Sequence, residues 1–363
     1  MKKRLFIFAL CAAMVFTMFG CANLSEAPAA AETEATEIAE ATEATEASET
    51  TEAPAAFPVT VTDAAGREVT INQEPQRLVS GYYITTSMLI ALGQQDKLVG
   101  IEAKAGSRPI YGLSAPELLE LPSVGTAKEF DLEGCAALEP DLVVLPLKLK
   151  DTVAALEELG IPVLLANPES MELLTETITM LGKATGAEDQ AEALLAYNEQ
   201  TKTELAELLE GAQRPVVYLA GNSSYLSTAG AKMYQNTLIE MGGGENAAAQ
   251  LEDNYWAEVS YEQLLAWNPD AIVIVPEASY TKEDLMNDVQ LAQLDAVKND
   301  AVYEMPSAFE AWDSPVPSAM LGSRWMAAVL HEDVYPFQTF CDDAAAFYGD
   351  FYGIDIDTAL LTK

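Results

Sequence analysis

A chain of 363 residues, half of them apolar, is too long for one small core and long enough for two lobes. Its formal charge of −38, from 57 acidic against 19 basic residues, excludes a surface built to bind nucleic-acid phosphates, which needs clustered Lys and Arg. That balance favours solubility and a cationic docking partner, and it carries no information about fold.

The first twenty residues read as an export address. Lys2, Lys3 and Arg4 precede an apolar run from Leu5 to Gly20. At about 1.5 Å per residue this run falls short of a bilayer core of roughly 30 Å, so it reads as a secretory signal and not as a spanning helix. It ends Met18-Phe19-Gly20-Cys21, a small residue before cysteine. This resembles a lipobox, and the resemblance implies that Cys21 is lipidated and becomes the mature N-terminus. Met18 and Phe19 depart from the usual pattern, and ordinary cleavage releasing a soluble protein is the alternative. From Ala22 to Ala56 the chain is mostly Ala, Thr, Glu and Pro, with nine glutamates and no basic residue. Such composition cannot offset its ordering entropy and is expected to act as a flexible tether. Its coil span is roughly 30–35 Å.

Folded sequence is expected from Phe57. Residues 57–71 alternate apolar and polar around Ala65-Gly66 and predict a β-hairpin. Leu78-Val79-Ser80 leads into a helix predicted over Thr85–Leu92 and closed by Gly93, and Leu98–Ile101 reads as a short buried strand. Residues 131–146 and 260–276 then repeat one plan: a short helix, a Pro-Asp break, an apolar β-rich run and a closing proline. Glu133 stands seven residues before Pro140, and Glu262 seven before Pro269. The matched spacing predicts two lobes of similar βαβ construction. Leu142–Leu145 and Ile272–Val275 are apolar throughout, as parallel strands covered on both faces should be. Between the repeats, helical periodicity runs from Met171 to Leu181 and from Ala187 to Leu209, the second segment spanning roughly 35 Å. The chain is thus expected to be α/β, with two Rossmann-like lobes joined by a long helix. The divisions are a leader at 1–20, a tether at 21–56, an N-terminal lobe at 57–168, the connecting helix at 169–212 and a C-terminal lobe at 213–363. Of the four cysteines only Cys135 and Cys341 fall in the body, too few for a disulfide framework. A buried thiol is the plainer reading of Cys135, with a Cys135–Cys341 bridge as the alternative.

Five pieces in order carry a family resemblance over roughly residues 57–355. They are Val61-Thr62-Asp63…Gly66-Arg67, Leu121-Pro122-Ser123-Val124-Gly125, Leu132-Glu133…Glu139-Pro140-Asp141, Met241-Gly242-Gly243-Gly244-Glu245-Asn246 and Tyr261-Glu262…Asn268-Pro269-Asp270. With them the chain resembles the iron-siderophore, haem and vitamin B12 class of binding proteins that serve ABC importers. The resemblance implies two lobes bridged by one long helix, little hinge closure and a ligand in the cleft. It also implies that a glutamate on each lobe, here Glu133 and Glu262, docks against arginines of a permease dimer driven by ATPase subunits. Carboxylate–guanidinium pairs are strong and directional, and one per lobe fixes orientation. The plainer reading makes each an ordinary first-turn glutamate favoured by the helix dipole.

Ligand-contacting residues should follow strands in each lobe. Candidates are Tyr82, Tyr83, Arg108, Tyr111 and Lys148 in the first, and Tyr225, Trp256, Tyr280, Trp312 and Arg324 in the second. Aromatic rings beside a few cations suit a planar or anionic organic ligand: a ferric siderophore, haem or a cobamide. The Trp312 loop tips the expectation towards an iron complex, and haem could be held by an axial tyrosine among Tyr82, Tyr83 and Tyr225. The single histidine, His331, argues against a bare transition-metal ion, which needs several His and carboxylate ligands. Ser279-x-x-Lys282 matches a serine acyl-enzyme pattern, but the accompanying Ser-Asp-Asn and Lys-Thr-Gly are missing, so no enzyme is expected. A surface sensor or scavenger without a permease is the remaining alternative. The expected protein is a monomer outside the cell, attached to the membrane by its lipid alone.

Overall fold

The computed structural model describes residues 57–252 and 255–363. Cys21, the leader and the tether lie outside them. Among the described residues no helix is long and apolar enough to cross a membrane.

The body opens with the expected hairpin, β1 (Val59–Thr62) against β2 (Glu68–Ile71), in register Val59↔Ile71. Its inward face is Val59, Val61, Val69 and Ile71, all buried, as the alternation predicts. Asp63 fixes the turn: its carboxylate accepts from the backbone N–H groups of Ala65, Arg67 and Leu165 and from two nitrogens of the Arg67 guanidinium. Arg67 continues to Glu157 and to the Val163 carbonyl. The Asp63…Arg67 pair therefore sews the hairpin to the first lobe.

That lobe contains β3 (Leu78–Ser80), α1 (Tyr83–Ala91), β4 (Leu98–Ile101), α2 (Pro109–Ser114), α3 (Leu132–Ala137), β5 (Leu142–Pro146), α4 (Val153–Glu157) and β6 (Val163–Ala166). The connection is α5 (Met171–Thr185) and α6 (Glu188–Leu208), separated at Gly186, whose φ of +73° ends α5 in the left-handed region. With 21 residues, α6 is about 31 Å long. The second lobe contains β7 (Val216–Ala220), β8 (Ser227–Thr228), α7 (Tyr234–Met241), β9 (Glu245–Asn246), β10 (Ala257–Glu258), α8 (Tyr261–Trp267), β11 (Ala271–Ile274), α9 (Lys282–Met286), α10 (Asp295–Lys298), β12 (Val302–Glu304), α11 (Ala319–Leu330) and α12 (Phe337–Tyr352). Two of its three two-residue strands, β8 and β10, pair antiparallel beside the main sheet.

The two main sheets have the same winding. The first is ordered β4-β3-β5-β6 and the second β9-β7-β11-β12, with every pairing parallel. Both β5 and β11 are buried along their whole length, as helices on both faces require. These are the two Rossmann-like lobes that the repeat predicted.

The repeated Pro-Asp unit has a visible job. Asp131 caps α3 by accepting from Gly134 N at 2.8 Å, and Ser260 caps α8 by accepting from Gln263 N at 3.2 Å. Each short helix then unwinds through a left-handed residue, Glu139 (φ +48°) or Asn268 (φ +42°), before the proline. Asp141 accepts from the N–H groups of Gln76 and Arg77, and Asp270 from that of Val216. The aspartate thus pins the entry of the third strand of each main sheet to the entry of the first. Both Cys135 and Cys341 are buried free thiols, which removes the bridge.

Candidate functional site

In a parallel sheet the loops that leave the carboxyl ends of the strands form the ligand crevice. Here such loops from both lobes meet around a narrow cleft. Tyr83, Ser87 and the Arg108–Tyr111 segment line it from the first lobe, and Glu277, Phe309 and Glu310 from the second.

Arg108 lies at the N-terminal boundary of α2, with its guanidinium 4.1 Å above the centre of the Tyr83 ring. Its Nη1 is 3.8 Å from the Glu277 carboxylate across the cleft. Tyr83 also crosses the cleft, donating to Ser314 Oγ at 3.3 Å. Tyr82 stands edge-on to Tyr83, with ring centres 5.6 Å apart. Burial pushes both phenols above their ordinary range.

Beneath this layer sit two buried carboxylates. Glu102 accepts from Thr86 Oγ1 at 2.6 Å and from the Tyr111 hydroxyl at 2.8 Å. Glu310 accepts from Ser87 of the first lobe, from Ser318 at 2.5 Å and from the Tyr352 hydroxyl at 2.8 Å. Burial raises both carboxyls, against the lowering by their hydroxyl donors. Asp313, beside the cleft, is pushed up to about 7 by burial and then by the nearby charge of Glu277. Among the described residues, the groups that answer these acids are neutral hydroxyls, backbone N–H groups and Arg108.

The other sequence candidates distribute unevenly. Tyr111 lines the cavity, but its hydroxyl is spent on Glu102. Lys148 is exposed on the turn after β5. Tyr225, Trp256 and Tyr280 gather in a separate aromatic group where β7 ends. There Tyr280 donates to the Gly221 carbonyl, Tyr225 meets Tyr280 edge-on at 5.2 Å, and the Trp256 ring covers Gly221 so closely that a Cβ would sit 2.8 Å from it. The Tyr225 hydroxyl turns away to Asp288, which also accepts from Tyr261.

Two expectations are corrected. Arg324 is not a cleft cation. It is 6 % exposed on α11, donates to Thr201 and Glu204 of α6 and to Asp343 of α12, and so braces the second lobe against the connecting helix. Trp312 is 1 % exposed, with its indole N–H donated to the Tyr348 hydroxyl and its ring edge-on to Phe340. Its polar atom is satisfied inside the core and presents nothing to a ligand. Conversely, Ser87, Glu102, Glu277 and Glu310 were not picked out from sequence, although Glu277 directly follows the closing proline of the second repeat and Glu310 lies in the Trp312 loop.

Glu133 and Glu262 occupy equivalent places, each the second residue of its helix, α3 or α8. Both are exposed, and among the described residues neither is ion-paired. A crossover helix runs against its strands, so its N-terminus lies on the strands' carboxyl edge, the face on which the cleft opens. A backbone hydrogen bond and then the Ser260 hydroxyl hold the Glu262 carboxyl below its ordinary range.

Two parallel lobes with a crevice at their carboxyl edges, closed by side chains from both, define a bilobal solute-binding protein. The profile of the periplasmic binding protein family matches residues 78–309, and the chain belongs to that family. It is 27 % identical over 353 residues, covering 93 % of this chain and 98 % of the other, to the uncharacterized ABC transporter substrate-binding lipoprotein YvrC of Bacillus subtilis. It is 28 % identical to the molybdate-binding protein MolA of Haemophilus influenzae, covering 80 % and 89 %, and 27 % identical to a cobalamin-binding protein of Halobacterium salinarum, covering 68 % and 66 %. The crystal structure of a periplasmic solute binding protein from Veillonella parvula superposes with a TM-score of 0.74 at 28 % identity, covering 83 % of this chain and 95 % of that one. The relatives are solute-binding proteins and not enzymes.

Proposed function

We propose that this protein is the extracytoplasmic capture component of an ABC importer, and that its ligand is a neutral or cationic metal–organic complex of the cobamide class. The observation that carries the ligand choice is the charge of the cleft. Its cation, Arg108, already faces Glu277, and around it stand Asp313, Glu310 and Glu102. An anionic ferric siderophore, or the propionates of haem, would be desolvated there without a free counter-charge, which is costly. A cobamide's periphery of amides can instead donate to acidic acceptors and lay its ring edge on Tyr82 and Tyr83. The raised phenols of Tyr82 and Tyr83 also weigh against an axial tyrosinate for ferric haem. The cobalamin-binding relative supports this reading, and the molybdate-binding relative marks its main competitor. The iron complex expected from the Trp312 loop loses its support, because that ring belongs to the core.

Delivery would use Glu133 and Glu262 as paired contacts for guanidinium groups of a permease dimer, with Cys21 holding a monomer to the outer face of the membrane. The matched capping, exposure and edge of the two glutamates support the docking role. The test of the ligand is a fluorescence titration of the purified protein with cyanocobalamin, haemin and an anionic ferric tricatecholate. Saturable binding of cyanocobalamin at least tenfold tighter than the others is expected. Tighter binding of haemin or the tricatecholate overturns the choice.

A further inference from the structure

Glu277 departs from its surroundings in three ways. Its backbone is left-handed, φ +59°, a conformation that disfavours any residue with a Cβ. Its loop is held on the following side, where Ser279 N donates to the Asn222 carbonyl at 2.8 Å and Tyr280 donates to Gly221. And its carboxylate is directed across the cleft to Arg108, which is itself held flat over Tyr83. Glutamate is thus kept where glycine would relax the chain, with its charge set against the cavity's cation.

We propose that Arg108 and Tyr83 form an oxyanion-binding subsite that Glu277 masks, and that Glu277 is the residue that makes this cleft reject anions. The inference rests on reading this cleft as the ligand site, and it concerns selectivity within it. A guanidinium stacked on an aromatic ring keeps its in-plane N–H groups free to meet two oxygens of an anion. In this protein the Glu277 carboxylate, 3.8 Å from Nη1, sets a negative charge beside that place. An oxyanion bound to the Arg108 N–H groups must lie beside that negative charge. A neutral ligand with amide donors meets no such opposition and can use the Glu277 oxygens as acceptors.

Equilibrium dialysis of the purified full chain against molybdate tests the mask, with cyanocobalamin titrated into the same preparations. A unit charge about 4 Å away shifts the affinity for a monovalent anion by about fivefold even at the dielectric of water, and by more in a partly buried site. Glu277→Gln is therefore expected to bind molybdate at least about fivefold tighter than the unaltered chain. Glu277→Gly, which also relieves the backbone, should show the same gain. Arg108→Gln combined with Glu277→Gln should lose it. No gain in either single variant, or a gain that survives removal of Arg108, overturns the mask. Cyanocobalamin reports separately: if the unaltered chain fails to bind it while the molybdate gain appears, the cobamide reading fails and the mask stands.

Discussion

Replacing Arg324 by methionine separates a structural brace from a ligand contact. The side chain is 8 % exposed and makes charge-assisted bonds to Glu204 at 2.5 Å and Asp343 at 3.0 Å, and donates twice to Thr201 Oγ1. Removing one member of a buried ion pair costs about 3–5 kcal/mol when the partner charge stays buried. Here the partners are 44 % and 35 % exposed, so water recovers part of their solvation. Tyr335 also still donates to Asp343. Methionine fills most of the volume, which leaves an expected loss of about 2–3 kcal/mol. With an m-value of about 3 kcal/mol/M, the urea midpoint should fall by roughly 0.7–1 M. The affinity for cyanocobalamin should stay within about twofold, since a site not in contact leaves binding additive. A tenfold loss of affinity with an unchanged midpoint would refute the placement of Arg324 in the core.

Three further outcomes are expected. Glu133→Ala with Glu262→Ala should abolish uptake into cells while solution affinity for the ligand is retained; normal uptake by this double variant removes the docking role. The Asp313 carboxyl, pushed up to about 7, binds its proton more tightly folded than unfolded, so it supports stability below about pH 4 and that support is lost as pH rises through 7. Asp313→Asn should therefore flatten the fall in urea midpoint between pH 5 and pH 8, and an unaltered slope would contradict the burial. The Cys135 thiol, raised to about 11 by burial and then by Asp131, should resist alkylation at pH 8 until the protein is unfolded. Rapid labelling of the native chain at that position would show the helix to be open.

Local sequence carried the architecture well. The alternation of residues 57–71 placed the hairpin, and the equal Glu-to-Pro spacing in the two lobes exposed the shared winding, because each signal lies within a few turns of chain. The equivalent places of Glu133 and Glu262 were legible for the same reason. The cleft was not, because its members are chosen by pairings far apart in sequence. Nothing near Arg324 announces Thr201 and Glu204, which are 123 and 120 residues away. A tryptophan in a polar loop looks like a ligand platform until Tyr348 and Phe340 close over it. The acids were hidden by abundance: among 57 carboxylates, Glu277 and Glu310 offer no contrast until the fold aims them at one space.

The Tyr352 contact has a mechanical consequence. The last helix reaches back to the first lobe, where the Tyr352 hydroxyl meets Ser87 and Glu310 and its carbonyl accepts from Ser114. Besides α6 and the contacts across the mouth of the cleft, the lobes are therefore tied by this clasp of hydroxyls around a buried carboxylate. Spreading them would strip several hydrogen bonds from the floor of the cleft at once, each costly to leave unmade. Unloading becomes the step that needs outside work, and under the docking proposed for Glu133 and Glu262 a partner gripping both rims would supply it.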